Sequence, residues 1–122
     1  PLAGRTHLSW QAYFEQDYIG LDRVSGNRTL LDRELAHLTP ARPSICETRH
    51  VTTMLGMVEA GIGIAAVPAM SMPAGEHSVL RAVPLTDPVV TRTVGLIRLS
   101  GRIQSYVAAE LEKLIIEQYP SG

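Results

Sequence analysis

The stretch from Ser44 to Pro68 constrains the fold more than any other part of the chain. Ser44-Ile45-Cys46-Glu47 reads as a short strand, and Val51, Met54, Leu55 and Val58 recur at i, i+3, i+4 and i+7, the spacing of one helical face. Gly61 stands where a C-terminal helix cap belongs, and Ile62 to Val67 is an apolar run stopped by Pro68. A strand, a helix and a second strand so closely spaced, with near-continuous apolar strands, describe a parallel unit covered on both faces. The fold class is therefore α/β.

The flanking sequence extends this pattern. Pro1 to Ser9 reads as a loop, Trp10 to Gln16 as a short helix, and Tyr18-Ile19-Gly20-Leu21 as a buried strand. Ser25-Gly26-Asn27 supplies turn chemistry. Leu30, Leu31, Leu35 and Leu38 then share one face of a helix expected over 29–38, which Pro40 and Pro43 end. Val79 to Leu85 and Thr91 to Leu99 are expected strands. The last helix carries Ile103, Tyr106, Val107, Leu111, Leu114 and Ile115 on one stripe.

Composition narrows the partners. Hydrophobic residues make up 45% and charged residues 19%, an ordinary globular balance rather than a disordered one. Eleven basic and twelve acidic residues give a net charge of -1, without the basic excess of a nucleic-acid-binding segment or a reason to dock on anionic membranes. No apolar run approaches the ~20 residues needed to span a bilayer. The single cysteine, Cys46, excludes an internal disulfide and suits a reducing cytosol. The chain begins at Pro1, without methionine or a signal-peptide pattern, and reads as a piece of a longer gene product.

Two strand-to-helix junctions carry the candidate chemistry. Ser25, Gly26, Asn27, Arg28 and Thr29 combine backbone N–H groups with hydroxyl, amide and guanidinium donors, which suits an anion; capping and turn chemistry need the same residues. Thr48, Arg49 and His50 form the second junction. Arg49 can pair bidentately with a carboxylate and His50 can donate, or the two can be a surface charge and a cap. Two helix N-termini at strand carboxyl ends mark the place where open α/β sheets bind ligands.

Other motifs fail on order or partners. Gly61 to Ala66 fits G-x-G-x-x-A, but it follows a helix and leads into a strand, the reverse of a dinucleotide site. Cys46, with Glu47 and His50 nearby, falls inside an apolar strand and reads as core rather than nucleophile. Ser25 with His37 lacks a third partner and an elbow motif. His7, His37, His50 and His77 have no metal-ligand spacing, and Met54, Met57, Met70 and Met72 read as core. No catalytic set, metal or cofactor is expected, and the chain is not read as an enzyme.

Three ordered stretches resemble the effector-binding region of LysR-type transcriptional regulators. They are Val58-Glu59-Ala60-Gly61-Ile62-Gly63-Ile64-Ala65-Ala66-Val67-Pro68, then Val83 to Pro88 followed by Arg92-Thr93-Val94-Gly95-Leu96, then the C-terminal helix. Pro1-Leu2-Ala3 and Asp17 to Leu21 match the start of that family's second regulatory subdomain. The resemblance implies a fold like that of type 2 periplasmic binding proteins, with one complete lobe in residues 1–88. Residues 89–122 would be the returning strand and last helix of the other lobe. It also implies a small anionic effector held between lobes by the two junctions, and DNA contacted only through an N-terminal winged helix-turn-helix outside this sequence. An extracytoplasmic solute-binding protein is the other reading of the same fold. With half of one lobe absent, the apolar C-terminal segment is expected to associate with another copy of the chain.

Overall fold

The computed structural model describes residues 2–75 and 79–120. His77 lies outside the described residues. The chain divides into two compact units, one ending at Val90 and the other starting at Thr91.

The first unit is built on β2 (Tyr18–Leu21), which pairs in parallel with β3 (Cys46–Thr48) on one side and β4 (Ile64–Ala65) on the other. Ile19 stands opposite Cys46 and Leu21 opposite Thr48, while Tyr18 faces Ile64. Before this sheet come β1 (Leu8–Ser9) and α1 (Trp10–Phe14); after it comes β5 (Leu85–Thr86), which pairs in parallel with β1. The connections are α2 (Gly26–Glu34) and α3 (Val51–Glu59).

Strand alternation separates two cores. Ile19 and Leu21 pack with Met54 of α3, and all three are buried. Tyr18 packs instead with Leu8, Trp10, Tyr13 and Leu35, the last being the C-cap of α2. The two connecting helices therefore cover opposite faces of the sheet. Around Tyr13 the rings of Trp10, Phe14 and Tyr18 lie at centroid distances of 5.2–5.6 Å, and the Ala66 N–H donates to the Tyr13 hydroxyl at 3.1 Å. Burial raises the pKa of the Tyr13 phenol well above its ordinary value.

The helix ends follow local chemistry. Ser9 caps α1, its hydroxyl accepting from the Ala12 N–H at 3.2 Å. Helix α3 closes in a Schellman motif: Ile62 N–H reaches Met57 C=O at 3.1 Å and Gly61 N–H reaches Val58 C=O at 2.9 Å, with Gly61 at φ 77°. Gly63 lets β4 approach the chain before β2, because a Cβ there would lie 2.5 Å from the Asp17 carbonyl oxygen. That carbonyl accepts the Ile64 N–H at 3.0 Å and so sets the β2–β4 register.

Five expectations need correction. Helix α2 begins at Gly26 rather than Thr29 and ends before Leu35, so Gly26 to Thr29 form its first turn. The strands expected at Ser44–Glu47 and Ile62–Val67 are paired only at Cys46–Thr48 and Ile64–Ala65. Of the strand expected from Val79, only Leu85 is paired, because β1 offers a partner just to Leu85 and Thr86. Thr91 to Leu99 form no strand among the described residues: β-propensity is a fit to neighbouring strands, and this segment has none. Met70 is largely exposed rather than core, whereas Met54 is fully buried. In the second unit, Ser105 caps α4 (Tyr106–Gln118) by accepting the Ala108 N–H, yet no residue of that helix is buried.

Candidate functional site

The connections after β2 and β3 leave the sheet in opposite directions, one to α2 and the other to α3. The two junctions stand side by side beyond Leu21 and Thr48, which are register partners, and form the lips of the candidate crevice. Both junctions stand at strand carboxyl ends, the side of an open parallel sheet on which ligands are received.

Both helices that start here lack a side-chain cap. Ser25 is the N-cap of α2 and His50 of α3, and neither side chain bonds to the first turn. Ser9 and Ser105, at helices elsewhere, do make that bond. An uncapped first turn directs unsatisfied N–H groups and the positive end of the helix dipole outward. Thr29 donates to the Ser25 C=O from its N–H at 3.1 Å and from its hydroxyl at 3.4 Å, and the Met54 N–H donates to the His50 C=O at 3.1 Å. Gly26 and Thr29 are exposed, Ser25 and Asn27 half-buried.

The second junction is tied to the first through Asp22. The Asp22 N–H donates to the Thr48 C=O at 3.0 Å, and Arg49 Nε donates to Asp22 Oδ2 at 3.1 Å. The Ser25 N–H in turn donates to the Asp22 C=O at 3.1 Å. Asp22 Oδ1 is buried and has no hydrogen-bond partner among the described residues. Sequence reasoning overlooked this residue. Its signal was a carboxylate just past a strand end, in register with the arginine just past the next one. His50 and Arg49 are exposed and Thr48 is half-buried.

Arg28 has a different place from the one its loop position suggests. Its Nε donates to both Asp32 carboxylate oxygens, at 2.9 and 3.1 Å, and Nη1 donates to the Leu21 C=O at 2.8 Å and to Glu47 Oε1 at 3.4 Å. Bonding to Asp32 above all raises its pKa further. Arg28 is thus committed to protein partners, and Arg49 is the more exposed of the two guanidinium groups.

Comparison with known proteins agrees with this architecture. The family model described as LysR substrate binding domain matches residues 1–120. The chain is 38% identical over 116 residues to an uncharacterized HTH-type transcriptional regulator of Escherichia coli (strain K12), YbhD, covering 95% of the chain and 37% of that protein. It is 35% identical over 117 residues to another, YfeR of Shigella flexneri, covering 96% and 38%. The chain thus spans under two-fifths of the length of these relatives. No solved structure matches it. No helix among the described residues is long and apolar enough to cross a membrane. With nearly all of its length matched by the family model and two regulators similar across it, the chain belongs to the LysR substrate-binding domain family.

Proposed function

We propose that this chain is the effector-sensing region of a LysR-type transcriptional regulator and that it binds a small anionic metabolite in the crevice beyond β2 and β3. The observation that carries the reading is the pair of helix N-termini there, neither capped by its own side chain, beside the exposed Arg49 guanidinium. The backbone N–H groups of Gly26 and His50 would donate to the anion's oxygens, Arg49 would pair with them, and Thr48 would add a hydroxyl.

In this reading residues 1–88 form one complete lobe of a periplasmic-binding-protein-like fold, and 89–122 return to the other. The effector would lie between the two lobes. The whole protein would act in the cytoplasm as a homo-oligomer and contact DNA through a helix-turn-helix region outside this sequence. Effector binding would shift lobe geometry and so DNA-dependent transcription. Both relatives are named as transcriptional regulators, which disfavours the extracytoplasmic solute-binding alternative. No catalytic role is assigned to Cys46 or His50.

The test is a titration of the chain, and of the full-length product of its gene, with inorganic sulfate and a panel of small mono- and dicarboxylates, read by calorimetry. Saturable binding of at least one anion, lost in Arg49→Ala, is expected. Absence of binding by every member of the panel to the full-length protein would sink the reading.

A further inference from the structure

Helix α2 spans a gap. None of its nine residues is buried; Arg28 near its start, the half-buried Leu31 and Leu35 at its end hold it to the sheet and leave room between them. The space left beneath it is a cavity of about 670 Å³, within the ~300–1,000 Å³ range of small-molecule sites. The rings of Tyr13, Phe14 and Tyr18 line it, with Leu31 and Leu35 of α2. Gly20 contributes no side chain to it, and a Cβ there would come within 3.1 Å of Ser44. Pro40 and Pro43 stiffen the segment that forms its lip.

The charges that line the cavity are already matched. Arg28 is paired with Asp32 and Glu47, Arg42 is paired with Asp17 at 2.7 Å, and the Tyr18 hydroxyl donates to the Arg42 C=O at 3.1 Å. An anionic ligand would meet Asp32 and Glu47, and a cationic one would meet Arg28. The Ser44 hydroxyl makes no hydrogen bond among the described residues. We propose that this cavity is a second ligand site, for an uncharged and largely apolar small molecule carrying one hydroxyl or carbonyl group, such as a simple phenol, which bonds to Ser44. Ser25, Gly26, Thr48, Arg49 and His50 do not line it; Arg28 of the first junction does, but its guanidinium is held by Asp32, Glu47 and the Leu21 C=O, so the groups proposed to hold the anion lie outside it. Because Ser25–Thr29 stand at the start of the same helix, an occupant would also bias the crevice; that consequence alone rests on the effector reading.

The experiment titrates the 122-residue chain, with methyl-labelled Leu and Ile, against 4-methylphenol and follows methyl shifts and ligand-to-methyl NOEs. Saturable shifts and NOEs at Leu31 and Leu35 are expected, with 4-methylbenzoate binding about tenfold more weakly or less. Leu31→Trp, which fills the space, should abolish binding. Ser44→Val, a gentler change, should weaken it about three- to tenfold through the lost hydrogen bond. Arg49→Ala should leave it unchanged, so this result stands or falls apart from anion binding in the crevice. The absence of saturable shifts at Leu31 and Leu35, NOEs confined to Ile97 or Ile103, or equal binding of the benzoate would overturn the proposal.

Discussion

Arg49 and Asp22, one residue past the ends of two neighbouring parallel strands, are joined from Nε to Oδ2 at 3.1 Å, so the crevice's exposed guanidinium is held by a carboxylate on the opposite lip. Such a bridge, with Arg49 two-thirds exposed, contributes only about 0–1 kcal/mol to stability. Its effect on an incoming anion is larger, because Asp22 competes for the same donors. Arg49→Ala should lower carboxylate or sulfate affinity about tenfold or more with little change in unfolding midpoint, and Arg49→Lys should restore only part of it. Asp22→Asn should raise anion affinity about three- to tenfold by removing a nearby negative charge. Calorimetric titration of the three variants checks this; a fall in affinity for Asp22→Asn would make Asp22 an orienting group instead.

Two glycines should respond in opposite ways to the same added methyl group. At Gly63 a Cβ would sit 2.5 Å from the Asp17 carbonyl oxygen, where backbone must move and the Ile64 N–H bond to that oxygen is disturbed. Gly63→Ala should destabilise by about 2–4 kcal/mol. Gly56 lies within α3 with open space around it, so Gly56→Ala should stabilise by about 0.5–1 kcal/mol through backbone entropy. Urea denaturation of both variants gives the comparison, and similar midpoints would contradict it.

Local pattern made much of the first unit legible before its structure was known. Met54 at the centre of its helical stripe, Gly61 as the cap and Tyr18–Leu21 as a buried strand all follow from spacing and turn chemistry. Pairing was less legible. Ile45 and Ile62 look like strand residues, yet both are about half exposed: the Ile45 N–H donates to the Tyr18 C=O just before β3 begins, and the Ile62 N–H is spent on closing α3 at Met57. Ladder hydrogen bonds depend on distant partners, which periodicity does not encode. Arg28 illustrates the same limit at the site. Its sequence neighbours placed it with anion-binding groups, whereas Asp32 one turn on and Glu47 on the adjacent strand claim its guanidinium. The register Leu21–Thr48, which brings Asp22 to Arg49, emerges only when β2 and β3 pair.

Tyr13 links the aromatic core to alkaline stability. Its phenol is buried, accepts the Ala66 N–H and has a pKa raised by desolvation above the ordinary value of 10.0. A group whose pKa is higher folded than unfolded contributes fully below the unfolded value and loses that contribution as pH rises through the folded one. Stability should therefore fall as pH climbs past 10.0, with a limiting slope of about 1.4 kcal/mol per pH unit. Tyr13→Phe should cost about 1 kcal/mol at neutral pH by stranding the Ala66 N–H, and should flatten that alkaline slope. Denaturant midpoints of both proteins across the alkaline range decide it; an equal slope in the variant would assign the effect to other groups.

The second unit exposes a run of side chains that ordinarily lie inside proteins. Ile97 and Ile103 are 99% and 96% exposed, and Val107, Leu111 and Leu114 on α4 are each more than half exposed. Covering five such side chains is worth roughly 1.5–3 kcal/mol each, against an association cost of about 4–15 kcal/mol. In a purified sample of this chain the available cover is a second copy. The chain should therefore sediment as a dimer or larger species at micromolar concentration, with α4 amides protected from hydrogen exchange only in the associated form. Replacing Leu111 and Leu114 by Glu should shift it to monomer while leaving the Tyr13 and Met54 cores intact, since neither α4 residue packs in them. A monomer at all concentrations, with α4 already protected, would instead show that this helix finds its cover within a single chain.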